Sequence, residues 1–215
     1  MKPDLPAENG YHDHVRREVA PYLKPHSRIL EIGCGSGATL GFLKQQGLCD
    51  WAGGAEFVAA AAQKARQVAD KVWIGDVESM EFDIEEGSLD AVLCLDVLEH
   101  LVDPWTMARR MASLLAPGGL LLVSLPNIRD YHILGDLVLR GRWEYRDSGI
   151  LDRTHLRFFT RKSAVALVAG AGLTVETVQP LGRMKPWRLK WVVNRLTGGR
   201  MMEFYAPQFL VCGRK

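Results

Sequence analysis

The chain has 215 residues, of which 47% are hydrophobic, and this is enough for one globular domain with a sizeable core. A formal net charge of only +2 argues against a general polyanion binder, so no nucleic-acid partner is expected. The four cysteines form no Cys-x-x-Cys pair, and the sequence has neither an apolar leader nor an apolar run of membrane-spanning length. We therefore expect a single cytoplasmic domain over residues 1–215, without disulfides and without zinc.

The first predicted elements surround a glycine-rich turn. Residues 1–27 are expected to be a helical lead-in, with its helix over 11–23, and a short apolar strand follows at 28–32. A helix over 38–46 begins directly after the turn. The glycines of the turn are Gly33, Gly35 and Gly37. They allow a tight turn and close approach of the backbone to a ligand, and the first N–H groups of the helix face the same point. Strand, turn and helix together predict half of a nucleotide-binding site.

The spacing of these glycines separates two classes of ligand. In the dinucleotide fingerprint the third glycine comes five residues after the first, whereas Gly37 comes four after Gly33. Glu31, inside the strand before the turn, would repel a pyrophosphate and attract an ammonium group. The pattern therefore favours a ligand with a positively charged end and no phosphate.

Two further strands end on an acidic residue. The predicted strand at 51–56 ends at Glu56, where a carboxylate can accept hydrogen bonds from both hydroxyls of a ribose. After an alanine-rich helix over 57–69, the strand at 72–76 ends at Asp76, where a carboxylate can accept from an adenine amino group. Acids at three successive strand ends are difficult to explain as unrelated surface residues.

Strands and helices keep alternating to the end of the chain, which predicts a doubly wound α/β fold with a parallel sheet. Further strands are predicted at 89–95, 120–125, 173–181 and 207–212, and further helices at 103–115 and 163–171. Residues 127–160 interrupt the alternation, and their aromatic content indicates an ordered cap insertion after the fifth strand.

These motifs resemble those of the class I S-adenosylmethionine (SAM)-dependent methyltransferases over residues 28–126. The family's Glu/Asp-x-Gly-x-Gly-x-Gly motif matches the glycine turn with its preceding acid, and Asp96-Val-Leu-Glu-His-Leu101 and the Pro-Gly-Gly before strand five match later motifs. The resemblance implies a Rossmann-like, seven-stranded, mostly parallel sheet with helices on both faces and an antiparallel last strand. It implies SAM as cofactor and S-adenosyl-L-homocysteine as product. The residues expected to hold the donor are Glu31, Gly33, Cys34, Gly35, Gly37, Glu56, Phe57, Asp76, Val77 and Asp96.

A second motif lies at 149–160, where Asp152-Arg-Thr-His-Leu-Arg-Phe-Phe-Thr160 resembles a subset of these enzymes, the methyltransferase domain 23/11 type, often encoded with surface-polysaccharide and lipid-saccharide enzymes. In this interpretation Asp152 orients His155, which accepts a proton from a hydroxyl acceptor. The alternative is that His155 anchors the loop by bonding to backbone groups.

Other candidates for acceptor chemistry lie beyond strand four, where Asp96, Glu99 and His100 qualify by position, and His100 is the second candidate base. No metal site is predicted. Asp96 could supply one oxygen ligand, but Pro126 occupies the place after strand five where a second acid would be expected.

Residues 182–203 form a second insertion, with six basic residues and two tryptophans four apart. It could be an amphipathic lid that contacts a membrane surface or a lipid-linked acceptor, or a cover helix with a solvated basic face.

The sequence thus predicts a SAM-dependent methyltransferase acting on a hydroxyl of a small-molecule or saccharide-type acceptor. Three alternatives stay open: a SAM-binding regulatory protein without catalysis, an N-methyltransferase acting on a small-molecule amine, and a nicotinamide-dependent oxidoreductase, which would need the other glycine spacing. No oligomeric state is predicted.

Overall fold

The computed structural model of the protein describes residues 13–182 and 201–215. Seven strands form one sheet. They are β1 (Ser27–Ile32), β2 (Cys49–Glu56), β3 (Lys71–Ile74), β4 (Leu89–Leu95), β5 (Leu115–Pro126), β6 (Thr174–Leu181) and β7 (Gln208–Arg214). Their order across the sheet is β3-β2-β1-β4-β5-β7-β6.

The first five strands are parallel to one another, and β7 runs antiparallel to both of its neighbours, β5 and β6. The predicted Rossmann-like sheet with an antiparallel last strand is therefore confirmed. Because β1 lies between β2 and β4, the strand order reverses at this point, and ligands of such sheets bind outside the carboxyl ends of the strands at the reversal.

Helices cover both faces of the sheet. They are α1 (Ala38–Gln45), α2 (Ala59–Ala65), α3 (Pro104–Leu114), α4 (Tyr131–Arg140), α5 (Arg161–Ala169) and α6 (Met202–Tyr205), with short 3-10 helices at Arg17–Tyr22 and Leu98–His100. Successive side chains of a strand point to opposite faces, so Ile29 and Leu30 enter different apolar clusters. One cluster includes Met111 of α3 and Leu167 of α5, and the other includes Leu40 of α1.

The lead-in differs from its prediction. The described part of the expected helix over 11–23 contains the 3-10 helix Arg17–Tyr22 and no α-helix. Pro21 lies inside it, and a proline has no backbone N–H to continue an α-helical ladder. Buried Val19 and Leu23 still provide the expected apolar contact with the domain.

The two insertions are described to different extents. The cap over 127–160 contains α4 and is closed at its base, where Asn127 forms a β-bridge with Phe159. The Asn127 side-chain amide also donates to the carbonyls of Glu203 and Ala206 at 2.7 and 2.8 Å. Most of the basic segment 182–203 lies outside the described residues. Of the helices that the structure does describe, none is both long enough and apolar enough to cross a membrane.

A stability prediction follows from the start of α5. The Thr160 hydroxyl accepts from the Ser163 N–H at 3.2 Å, and the Ser163 hydroxyl accepts from the Thr160 N–H at 2.8 Å, so the two residues cap the helix reciprocally. We expect Thr160→Ala to lower the free energy of unfolding by about 1 kcal/mol, measured by urea denaturation. Thr160→Ser keeps the hydroxyl and is the control. Equal losses in both variants would contradict the capping role.

Candidate active site

The glycine turn after β1 has the backbone that its sequence predicts. Gly33, Gly35 and Gly37 have φ angles of +68°, +55° and +79°, a region that glycine enters without a steric penalty. The N–H of Gly33 donates to the Ala55 carbonyl at 2.8 Å, which ties the turn to β2. A Cβ atom on Gly33 would lie 2.5 Å from the Val97 side chain. The turn therefore depends on glycine for its conformation and, at Gly33, also for space.

Glu56, at the end of β2, lies against this turn. It is only 6% exposed, and its two carboxylate oxygens accept from the N–H groups of Gly35 and Val58, each at 2.8 Å. A carboxylate oxygen has two acceptor positions, so each oxygen can accept one further bond. The side chain is thus fixed in place and retains capacity for two hydroxyl donors.

Glu31, in β1, is 4% exposed, and within the described residues its Oε2 atom has no hydrogen-bond partner. Burial raises the pKa of Glu31 to about 8, and the negative charge of Glu56 adds to this increase. A hydrogen bond from Thr39 and the positive charge of Arg16 oppose it. A cationic group next to Oε2 would stabilise the ionised form.

The other predicted donor residues lie around the same edge of the sheet, in different environments. Asp76 is half-buried in the turn after β3, and its Oδ1 atom accepts from the Glu78 N–H at 3.1 Å. Val77 packs against the core, whereas Phe57 is 50% exposed. The Cys34 side chain is buried, and burial raises the pKa of its thiol, so this cysteine packs in the turn and is not a reactive thiolate.

Asp96, the first residue after β4, has an unusual backbone and several partners. Its φ angle is +59°, which is uncommon for a residue other than glycine. Its carboxylate accepts from Arg16 Nη1 at 2.6 Å and from the Ser124 hydroxyl at 3.0 Å, and Gln208 donates to it as well. Arg16 was not predicted from the sequence, because no motif marks a residue of the lead-in that reaches the sheet edge.

A buried cluster lies beyond Asp96. The loop over 149–160 binds the 3-10 helix Leu98–His100 through its backbone, since the N–H groups of Leu156 and Arg157 donate to the Glu99 carbonyl at 2.8 and 3.0 Å. This contact places the His155 ring 4.7 Å from the His100 ring, measured between centroids. His155 Nε2 lies 4.0 Å from Glu99 Oε1.

The predicted pairing of Asp152 with His155 is not what the structure shows. Asp152 Oδ1 accepts from the backbone N–H and the hydroxyl of Thr154, at 2.8 and 2.6 Å. Because Thr154 is only two residues away, these two bonds form a local turn, and the Asp152 carboxylate bonds to Thr154 instead of to His155. His155 Nδ1 instead lies 3.0 Å from the Ile150 carbonyl, which agrees with the loop-anchor alternative. Asp152 supports the other histidine, because the Thr154 hydroxyl lies 2.9 Å from His100 Nδ1.

The charges in this cluster are strongly affected by burial. Glu99 is 1% exposed, and neither of its side-chain oxygens has a hydrogen-bond partner in the parts of the chain that are described. Burial raises the pKa of Glu99 well above its ordinary value, and the charge of Asp96 contributes. Burial, followed by the neighbouring His155, lowers the pKa of His100. The sequence marks Glu99 by position only, and its burial beside two histidines appears only in the structure.

Comparison with known proteins places the chain in a family. A family model described as a methyltransferase domain matches residues 7–178. The chain belongs to this family. It is a class I SAM-dependent methyltransferase, as its motifs and its sheet order also indicate.

Relatives and solved structures agree with this assignment. The methyltransferase is 30% identical over 189 residues to a ubiquinone biosynthesis O-methyltransferase of Xanthomonas axonopodis pv. citri (strain 306), with 81% of the chain and 74% of the relative covered. A SAM-dependent methyltransferase from Archaeoglobus fulgidus is similar in structure, with a TM-score of 0.67, 18% identity and coverage of 93% and 90% of the two chains. A second such enzyme, from Mesorhizobium loti, has a TM-score of 0.64, 15% identity and coverage of 96% and 99%. At these identities the two structures show the fold alone.

The residues at this edge suit two polar parts of SAM, the ammonium group and the ribose hydroxyls. The unpartnered oxygen of buried Glu31 matches a cationic ammonium group, and the remaining acceptor positions of Glu56 match the two ribose hydroxyls.

A pH dependence follows from Glu31 in the free methyltransferase. The folded protein keeps the Glu31 proton up to about pH 8, whereas the unfolded chain loses it near the ordinary value of 4.5. Between these values the unfolded state binds fewer protons, so this group lowers the free energy of unfolding by up to about 1.4 kcal/mol for each unit of rising pH. We expect Glu31→Gln to gain stability relative to the wild type over this window and to level off above about pH 8.

Urea denaturation of both proteins at several pH values measures this difference. The variant Glu81→Gln, which removes one exposed carboxylate, is the control for a change of net charge. A difference between Glu31→Gln and wild type that is independent of pH would contradict the assignment.

Proposed function

We propose that this methyltransferase transfers the methyl group of SAM to a hydroxyl oxygen of a small-molecule acceptor. The observation that carries the proposal is the buried cluster of Glu99, His100 and His155 beyond β4, at the same edge of the sheet as Glu31 and Glu56. The relative's name, which specifies an O-methyltransferase, agrees with an oxygen acceptor. Phenols are the acceptors to test first, followed by saccharides and lipid-linked saccharides.

The donor site in this proposal consists of the buried acids and the glycine turn. Bound SAM supplies a methyl group on a positively charged sulfur. Glu31 holds the ammonium end and Glu56 holds the ribose hydroxyls. Asp76 and Val77 contact the adenine, and the backbone of the glycine turn allows the ligand to approach closely.

Methyl transfer to a hydroxyl also requires removal of the hydroxyl proton. The hydroxyl oxygen forms a bond to the methyl carbon, the bond from that carbon to sulfur breaks, and S-adenosyl-L-homocysteine leaves as a neutral thioether. The hydroxyl proton must also leave, and a positioned side chain speeds such a transfer by roughly 10²- to 10⁴-fold. The Ile150 carbonyl can only accept, so it fixes a proton on His155 Nδ1 and leaves Nε2 as the available basic atom.

Removal of the ribose contact tests the donor site. Glu56→Ala removes a charged acceptor from two hydroxyls, and each charge-assisted hydrogen bond contributes about 1.5–3 kcal/mol. We expect the affinity for SAM in calorimetric titration to fall by at least about tenfold, and NAD to bind negligibly to the wild type. Glu81→Ala, which removes an exposed acid, is the control, and circular dichroism checks that both variants are folded. Unchanged SAM affinity in Glu56→Ala would exclude the assignment.

An acceptor screen with His155→Ala tests the reaction itself. We expect wild-type protein to methylate a hydroxyl acceptor, and the variant to bind SAM normally and turn over roughly 10²- to 10⁴-fold more slowly. Its loss should be partly recovered with a more acidic acceptor, which is already ionised. His26→Asn is the matched control, because His26 is exposed at the amino end of β1. Methyl transfer to amines but to no hydroxyl would exclude the proposal.

A further inference from the structure

Three potential metal ligands meet in the buried cluster. Glu99, His100 and His155 each offer one ligand atom, and these atoms all lie within 4.8 Å of one another. In a tetrahedral site with bonds of about 2.0–2.2 Å, neighbouring ligand atoms are roughly 3.4 Å apart. Small side-chain movements would therefore close the three ligands around an ion.

The hydrogen bonds of the two histidines determine which nitrogen is available. A carbonyl cannot donate, so the 3.0 Å contact with Ile150 requires the proton on His155 Nδ1. The Thr154 hydroxyl gives its hydrogen to Asp152 at 2.6 Å, so it accepts from His100 Nδ1 at 2.9 Å. Both rings thus carry a proton on Nδ1, and the neutral form of each ring has its lone pair on Nε2. Histidines that bind metals almost always donate their other ring N–H to a fixed acceptor, such as a carboxylate, a backbone carbonyl or water.

Glu99 lacks what a buried carboxylate needs. It is 1% exposed, its oxygens accept no hydrogen bond within the described residues, and His155 Nε2 lies 4.0 Å from its Oε1 atom. Burying a carboxylate without a partner is strongly unfavourable, and such groups are normally paired or bound to a metal. A cation between Glu99 and the two imidazoles would supply the missing partner.

We propose that Glu99, His100 and His155 bind a divalent transition-metal ion, with Zn²⁺ as the best match. Two imidazoles and one carboxylate form the ligand set of zinc sites that keep a fourth position open for water or substrate. The same set also suits Fe²⁺. The role of this site rests on the proposed function. The metal would hold the acceptor hydroxyl at its open position and favour loss of the hydroxyl proton. The sequence-based expectation of no metal rested on the absence of a Cys-x-x-Cys pair and on Asp96 with Pro126-Asn127 after strand five, whereas this site uses the loop over 149–160.

The metal role and the base role compete for the same atom. A lone pair of His155 Nε2 that binds a cation cannot also accept the hydroxyl proton. The two possibilities therefore differ in their response to a chelator: removal of the metal would slow methyl transfer if the metal takes part, but would not affect a reaction in which His155 is the base.

Metal binding is tested on the whole chain without SAM or acceptor. Purified protein is stripped with a chelator and titrated by calorimetry with Zn²⁺, and with Co²⁺, whose visible absorption reports tetrahedral coordination. We expect one ion per chain with micromolar or tighter affinity. Glu99→Gln and His155→Gln should each abolish the Co²⁺ absorption. Thr154→Val, which removes the hydroxyl behind His100, should weaken binding about 10- to 100-fold. His26→Asn should bind like the wild type.

Other results would contradict the metal site, its role in the reaction, or the proposed function. No binding of either ion, or stoichiometric binding that survives in both Glu99→Gln and His155→Gln with normal circular dichroism, would overturn the proposal. Methyl transfer to a hydroxyl that continues unchanged in chelated, metal-free protein would overturn the metal role while the proposed function stands. Metal binding at these residues in a protein that methylates only amines would support the site and exclude the proposed function.

Discussion

Burial of carboxylates at the carboxyl edge of the parallel strands is the constraint on which this site depends. Glu31, Glu56 and Glu99 are each at most 6% exposed. An ionised carboxylate without a partner is strongly unfavourable in such a place, and the fold compensates the three to different degrees. Glu56 receives two backbone N–H groups, Glu31 receives a bond from Thr39, and Glu99 receives none on its side chain from the residues described. The unpartnered side-chain oxygens of Glu31 and Glu99 are therefore the places where a cationic group would be most favourable.

The lead-in contributes Arg16 to this edge, although it is not part of the sheet. Arg16 Nη1 donates to Asp96 after β4, and Arg16 Nη2 donates to the Ser124 hydroxyl of β5 at 3.1 Å. Its backbone N–H donates to the Thr39 hydroxyl at 3.2 Å, and Thr39 is also the partner of Glu31. One residue thus links the first helix after the glycine turn with the ends of two central strands. Loss of the Arg16 side chain would leave the carboxylate of Asp96 with neutral partners only, in a backbone conformation that is already unfavourable.

The sequence predicts the fold and the position of the buried acids around the glycine turn well, for a physical reason. Strand ends of a parallel sheet meet at one edge, so the acids at the ends of β1 and β2 had to be near the glycine turn. The acceptor side depends on contacts between distant segments, such as the Leu156 N–H with the Glu99 carbonyl, and no periodicity records these. The spacing of Asp152 and His155 suggested that the two side chains pair, but the Asp152 carboxylate accepts hydrogen bonds from the nearer Thr154 instead. Arg16 lies outside every motif.

The loop-anchor role of His155 is compatible with a chemical role, because the two use different atoms of the ring. Nδ1 anchors the loop to the Ile150 carbonyl, whereas Nε2 lies 4.0 Å from Glu99 Oε1. The loop is also fixed at its end, where Phe159 pairs with Asn127 and Thr160 caps α5. The cluster is therefore built on rigid supports. By contrast, α4 of the cap presents exposed Val138 and Leu139, at 74% and 83%. Such a surface can vary in sequence without disturbing either the buried acids or the cluster, because segments on the surface of a rigid scaffold tolerate change better than its core does.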